Sequence, residues 1–378
     1  MINKYIEANT YFIQYNTKIY KHNTIQFTHR RTSLTIERYI YIYIINILII
    51  IMDETLLQDA VPFVFYTTIK QTLSLMVIMR LIWFLYCFSN AISNPTMLTR
   101  KDVEKKGAEQ SWRIVPYLQY GYRESNNSFI YCACSTGCLH NETCNIWTHV
   151  FAALYFFNSF LNHSPDSMSK FVALAACYLF SVSTVAHSCS CHSKPVEKIM
   201  FRIDRASIAV YFTVFVLVAG YQHFLQSRNE VLYFQIFSIV ALLAGIASSS
   251  MMFFADNARS KLTKVIILSS MVLCVLIPVL RERYYSSGEM KALKDKLVLL
   301  HLPTSLGFGA LGGFFFASAI PEKYFPSEKQ LEKSKLGTFF QYVSSHSMMH
   351  VMVFISAWIG YSGQSKWDLV LKYEKKKQ

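Results

Sequence analysis

Residues 206–224 read ASIAVYFTVFVLVAGYQHF, and residues 232–254 read LYFQIFSIVALLAGIASSSMMFF. Neither stretch contains Asp, Glu, Lys or Arg, and each is close to the 20 or so apolar residues that a helix needs to cross a hydrocarbon core about 30 Å thick. Their apolar character is continuous, without the alternation of a barrel strand, so the spans are helices. The whole chain agrees. It has 378 residues, 53% hydrophobic, 15% aromatic and only 16% charged, where soluble proteins carry nearer a quarter charged. That aromatic content excludes a disordered chain, and 13 Gly with 9 Pro exclude collagen-like and low-complexity ones.

Working outward, five further segments complete a seven-transmembrane-helix bundle, an all-α membrane protein: 146–162, 169–186, 264–280, 297–318 and 340–361. The division that follows is an N-terminal extension (1–96), a flank (97–145), a seven-helix domain (146–362) and a basic C-terminal tail (363–378). The net charge of +14 comes in short runs between apolar stretches rather than on one face, which points to loop charges and not to nucleic acid. Lys and Arg total 17 on the face shared by the flank and the second, fourth and sixth connections, against 12 on the other. That excess predicts a cytoplasmic N-terminal flank, although the Lys-rich tail counts the other way.

The first 52 residues lack Gly, Pro, Cys, Val and Asp and consist largely of Ile, Tyr, Asn, Lys and Phe, the residues of A/T-rich codons. Two readings stand for 1–96. One is a translated upstream region with Met52 or Met97 as the true start; the other is a genuine extension with apolar segments at 39–52 and 71–88. No function is assigned to it.

Ionisable residues in or beside membrane spans are costly and therefore mark function. His187 ends the second span, Asp204 opens the third, and His346 and His350 stand near the start of the last. With seven spans these positions share one side of the bilayer at one depth. His346 and His350, four apart, project from one helix face. Alone, such a pair reads as an interhelical hydrogen bond. With His187 it makes three nitrogen ligands and an open position, the catalytic zinc pattern. Asp204 is placed to orient or deprotonate a water, and Ser183, one turn before His187, to contact an oxyanion. Glu142, Asn145 and His149 recur at helical spacing at the mouth of the first span, either as an interfacial cap or as a buried network bracing the metal site. Cys132, Cys134, Cys138, Cys189 and Cys191 with His192 could compose a rival thiolate site, but C-x₂-C spacing is absent, and free thiols or palmitoylation fit better. His223 and His301 read as structural.

Gly121-Tyr122-Arg123, HNETCNIWTH (140–149), Ser183-x-x-x-His187, CHS (191–193), Asp204, IPEKYFP (320–326) and SHSMMH (345–350), in this order, resemble the progestin and adipoQ receptor family over roughly two-thirds of the chain. The resemblance implies seven helices, a cytoplasmic N-terminus, and zinc held by His187, His346 and His350 with Ser183 and Asp204 beside it. It also implies a lipid or steroid ligand reached from the bilayer, and an extracellular protein ligand. Adiponectin-type members are associated with ceramide amide hydrolysis; progestin-type members bind steroids and signal from the membrane. The chain departs from the pattern in Arg-Ala-Ser after Asp204, in Ser347 where Gln is common, in a long Lys-rich stretch before His346, and in a brief tail. The function expected is a zinc-containing receptor of the plasma membrane with ceramide-type hydrolase chemistry. The alternative is a non-enzymatic steroid receptor whose zinc is structural; a channel has little support.

Overall fold

A computed structural model describes residues 97–378, apart from 163–166, 227–228, 255–273, 275, 282–283, 285–290, 326 and 378. Segments 39–52 and 71–88, and most of the fifth span at 264–280, lie outside the described residues. Those described are mostly helical, with no strand among them. The elements that matter are α1 (Arg100–Lys105), α2 (Phe129–Ser135), α3 (Thr143–Leu161), α4 (Ser169–Cys189), α5 (Lys194–Gly220), α6 (Val231–Phe254), α7 (Lys291–Ser318), α8 (Glu328–Glu332), α9 (Lys335–Phe340) and α10 (Ser345–Lys377). Four helical segments are long and apolar enough to cross a membrane: Ser169–Cys189, Lys194–Gln226, Val231–Phe254 and Leu300–Tyr324. The protein is an all-α, multi-pass membrane protein.

The last helix differs most from its expected span, 340–361. It starts five residues later because Ser334 caps a separate short helix, α9, through the Gly337 amide. It also runs on to Lys377, so the stretch read as a tail continues the helix. Trp367, Val370 and Leu371 supply the reason: they bury against Leu297 of α7, and Lys294 pairs with Glu374 at 2.9 Å. The continuation is amphipathic, so its Lys content conceals a packed face.

Consecutive helices α3–α4, α4–α5 and α5–α6 pack together, and α10 packs on α7, α3 and α4. Their shared core is aromatic. Phe156 of α3 stacks on Phe180 of α4, with ring centroids 5.6 Å apart, and Phe354 and Tyr361 of α10 meet Phe156 edge-on. Outward, α6 exposes Leu232, Ile236, Ile239, Leu243 and Ile246, a row that suits lipid and not water. Gly245 lets α6 approach α5 closely, since a Cβ there would lie 2.2 Å from the Thr213 hydroxyl.

Helices α4 and α10 run antiparallel and are tied at both ends. At the end away from the histidines, buried Asp368 of α10 accepts hydrogen bonds from the Ser167 hydroxyl (2.6 Å), the Ser169 amide (3.1 Å) and hydroxyl (2.8 Å), and Gln222 Nε2 (2.7 Å). Gln222 lies in a π-helical turn, Tyr221–Gln226, that extends α5 and turns this amide inward. One carboxylate therefore ties α10 to the start of α4 and the end of α5. Asp368→Ala leaves these buried donors unmet, with an expected loss of about 3 kcal/mol of stability. Thermal unfolding in detergent checks this; an unchanged midpoint would show that the Asp368 contacts carry no net stability.

Candidate metal centre

The site forms where the C-terminus of α4, the N-terminus of α3 and the N-terminus of α10 meet. His187 occupies the last turn of α4, and His346 and His350 occupy the first two turns of α10. One ring nitrogen from each of the three lies within 4.8 Å of the others, a group that could hold a metal ion. His187 and His350 are each only 2% exposed.

Proton placement follows from the partners. His187 Nδ1 is 2.7 Å from Glu142 Oε2, and a carboxylate only accepts, so Nδ1 carries the proton and Nε2 keeps its lone pair. His350 Nδ1 is 3.2 Å from the Asn145 carbonyl oxygen, with the same consequence. These two rings are thus held in the tautomer that metal-bound histidines adopt when a carboxylate or carbonyl takes their other N–H. His187 Nε2 and His346 Nε2 are 3.4 Å apart. Two nitrogens on a tetrahedral zinc, each about 2.0–2.1 Å from it, stand roughly 3.3 Å from one another. The residues present fit such an ion.

Asn145 joins α3 to α10 directly, and to α4 through Glu142. Its Nδ2 donates to Glu142 Oε2 at 2.7 Å, its Oδ1 accepts from the Ser347 hydroxyl at 2.6 Å, and its carbonyl takes the His350 proton. Ser347, the departure from the family pattern, thereby has a definite partner. Ser183 is buried, with its hydroxyl within hydrogen-bonding reach of Asp204, and Asp204 faces His187 electrostatically. His149 makes no hydrogen bond to this network. It stacks on His350 instead, with ring centroids 3.7 Å apart.

Two further residues hold the helix ends, and sequence reasoning quoted them only as parts of motifs. Arg123, 2% exposed, donates to the carbonyls of His187 (2.8 Å) and Ser188 (2.9 Å) and to the hydroxyls of Ser190 (2.8 Å) and Ser135 (2.9 Å). It is a cation at the negative end of α4, on carbonyls of the helix's last turn. Glu322 is its counterpart on α10, accepting from the Ser345 amide (2.7 Å) and hydroxyl (2.5 Å) at the positive end of that helix. The signal available in sequence was a charge inside an otherwise apolar motif. The chain reaches Arg123 through Gly121, whose φ of +87 and 2.8 Å Cβ approach to the Asn141 amide admit only glycine. Asn141 is itself buried.

The thiol group divides. Cys132, Cys189 and Cys191 gather in a buried cluster with Cys132 Sγ and Cys191 Sγ 3.5 Å apart, while Cys134 and Cys138 are exposed. Burial, then the neighbouring Cys191, pushes the Cys132 thiol up to about 12, which makes it inert at neutral pH.

Fold and site together define a helical membrane protein with a buried histidine cluster near one end of its bundle. A family model described as Haemolysin-III related matches residues 138–361, and the chain belongs to that family, which includes the progestin and adipoQ receptors. It is 24% identical over 69% of its length to Progestin and adipoQ receptor-like protein 1 of Caenorhabditis elegans, and 26% identical over 69% to the Adiponectin receptor protein of Drosophila melanogaster. It is 25% identical over 56% of its length to Membrane progestin receptor alpha of Cynoscion nebulosus. These matches span 62%, 61% and 64% of the relatives' own lengths.

Glu142→Gln keeps an acceptor for His187 but removes the charge that strengthens its ligand nitrogen. Divalent-metal affinity is expected to fall about 10- to 100-fold, read by competition with chelators of graded strength. Unaltered affinity would separate Glu142 from the metal.

Proposed function

We propose that this chain is a seven-helix, zinc-containing receptor of the plasma membrane, with a cytoplasmic N-terminal flank, that hydrolyses the amide of a ceramide-like lipid entering from the bilayer. The observation that carries this reading is the donor set: three imidazoles, two with their Nδ1 protons directed away onto Glu142 and Asn145. His187, His346 and His350 would hold the ion, and a three-histidine donor set would leave it free to take part in chemistry. When bound, zinc supplies Lewis acidity, lowering the pKa of water to about 7 and polarising a carbonyl.

The chain's own groups supply the rest. Asp204, beside Ser183 and facing His187, takes the proton released by water and returns it to the leaving amine nitrogen. Ser183 has a single hydroxyl proton, which holds that carboxylate in the free site and turns to the oxygen that develops negative charge once Asp204 has taken the proton from water. Glu142 steadies the His187 ring. Phe201 and Phe316, edge-on to His187 and His346, border the polar centre with apolar rings that suit a lipid substrate.

A second reading keeps the zinc as a tie between helices in a steroid receptor without turnover. The Asn145 network supports it, since the same hydrogen bonds that orient the ligands also bind α3 to α10. Progesterone binding by zinc-loaded protein with no release of fatty acid would favour this reading.

Asp204→Asn is expected to retain zinc and to lose at least 100-fold of ceramide hydrolysis, measured as fatty-acid release. Full activity in that variant would remove Asp204 from the mechanism. Zinc-loaded wild type that binds ceramide without hydrolysing it would overturn the hydrolase reading.

A further inference from the structure

His149 is 5% exposed, and neither of its ring nitrogens has a hydrogen-bond partner. It stands one helical turn beyond Asn145 on the same face of α3, stacked on His350 and edge-on to Phe180 at 4.8 Å. Below it lie the rings of Phe156, Phe180 and Phe354. Stacking and edge contacts need only an aromatic ring, and phenylalanine would supply both without burying two polar atoms. Buried polar groups without partners are rare in folded proteins, and one beside a functional site calls for a missing ligand or water.

We infer that His149 is the residue that hydrogen-bonds the polar group of the ligand occupying the metal site. The inference rests on the proposed ligand lying beside His350. A neutral imidazole presents one donor and one acceptor. It therefore suits a group that both accepts and donates, an amide or a hydroxyl, better than a carboxylate, which would face the ring's lone pair with its own. The aromatic rings below leave the remainder of such a ligand in apolar surroundings. The chemical class is an amphiphile with an amide or hydroxyl at the metal end and a hydrocarbon body. His149 sets which polar group is accepted; His187, His346 and His350 hold the ion.

The test uses the full chain in detergent, comparing wild type with His149→Phe, which keeps the ring and its stack, and His149→Gln, which keeps a donor and an acceptor. Three quantities are read: zinc per chain, thermal midpoint, and equilibrium binding of a fluorescent short-chain ceramide with progesterone as a second probe. The expected result is undiminished zinc and an undiminished midpoint in His149→Phe, with ceramide affinity lowered about tenfold and partly restored in His149→Gln. Full ceramide affinity in His149→Phe would overturn the contact while leaving the proposed function standing. Loss of zinc or of thermal stability in His149→Phe would overturn it in favour of a supporting role for the ring. Wild type that binds neither probe would overturn the proposed function and this inference together.

Discussion

Three imidazoles can share one dry space only if their protons point out of it. Two hydrogen bonds enforce this for two of the rings, His187 Nδ1 to Glu142 and His350 Nδ1 to the Asn145 carbonyl, and both acceptors come from the first turn of α3 or the residue before it. Without them, either ring could turn a proton inward and the cluster would become an interhelical hydrogen bond. With them, at least two lone pairs converge on one volume and create a place for a cation. The position of α3 relative to α4 and α10 is the constraint on which the centre depends.

That position is fixed from several directions. Arg123 closes the carbonyl end of α4 and Glu322 the amide end of α10, so each ligand-bearing helix end carries the charge that complements its dipole. At the opposite end of the same two helices, Asp368 gathers Ser167, Ser169 and Gln222. The distance along α4 from Ser169 to His187 is about 27 Å at 1.5 Å per residue, close to the hydrocarbon thickness of a bilayer. Polar ties thus sit about a bilayer's hydrocarbon thickness apart, and the aromatic core built on Phe156 and Phe180 fills the interval between them.

Much of this was legible in sequence because membrane spans impose parity. Apolar runs at 169–186, 206–224 and 232–254 correspond to α4, α5 and α6 within a few residues at most boundaries, the long N-terminal lead of α5 being the main exception. Parity then placed His187 and the His346–His350 pair on one side although they lie over 150 residues apart. The missing parts have one physical cause. The hydropathy of Lys366–Lys377 hides a buried face made by Trp367, Val370 and Leu371, and Arg123, Glu322 and Asp368 gain their roles only from helix ends that distant segments bring to them. Asn145 shows the same limit: its helical spacing with Glu142 was visible, but its hydrogen bond to Ser347, 202 residues away, was not. His149 shares that face and yet stands apart, stacked where its neighbours are hydrogen-bonded.

Metal analysis of the purified full chain, combined with X-ray absorption at the zinc edge, tests the central claim most directly. The histidine cluster predicts near one zinc per chain, with three nitrogen neighbours at about 2.0–2.1 Å, and loss of that zinc in a folded His346→Ala/His350→Ala variant. Folded wild-type protein that takes up no zinc, or zinc retained undiminished in the double variant, would contradict it.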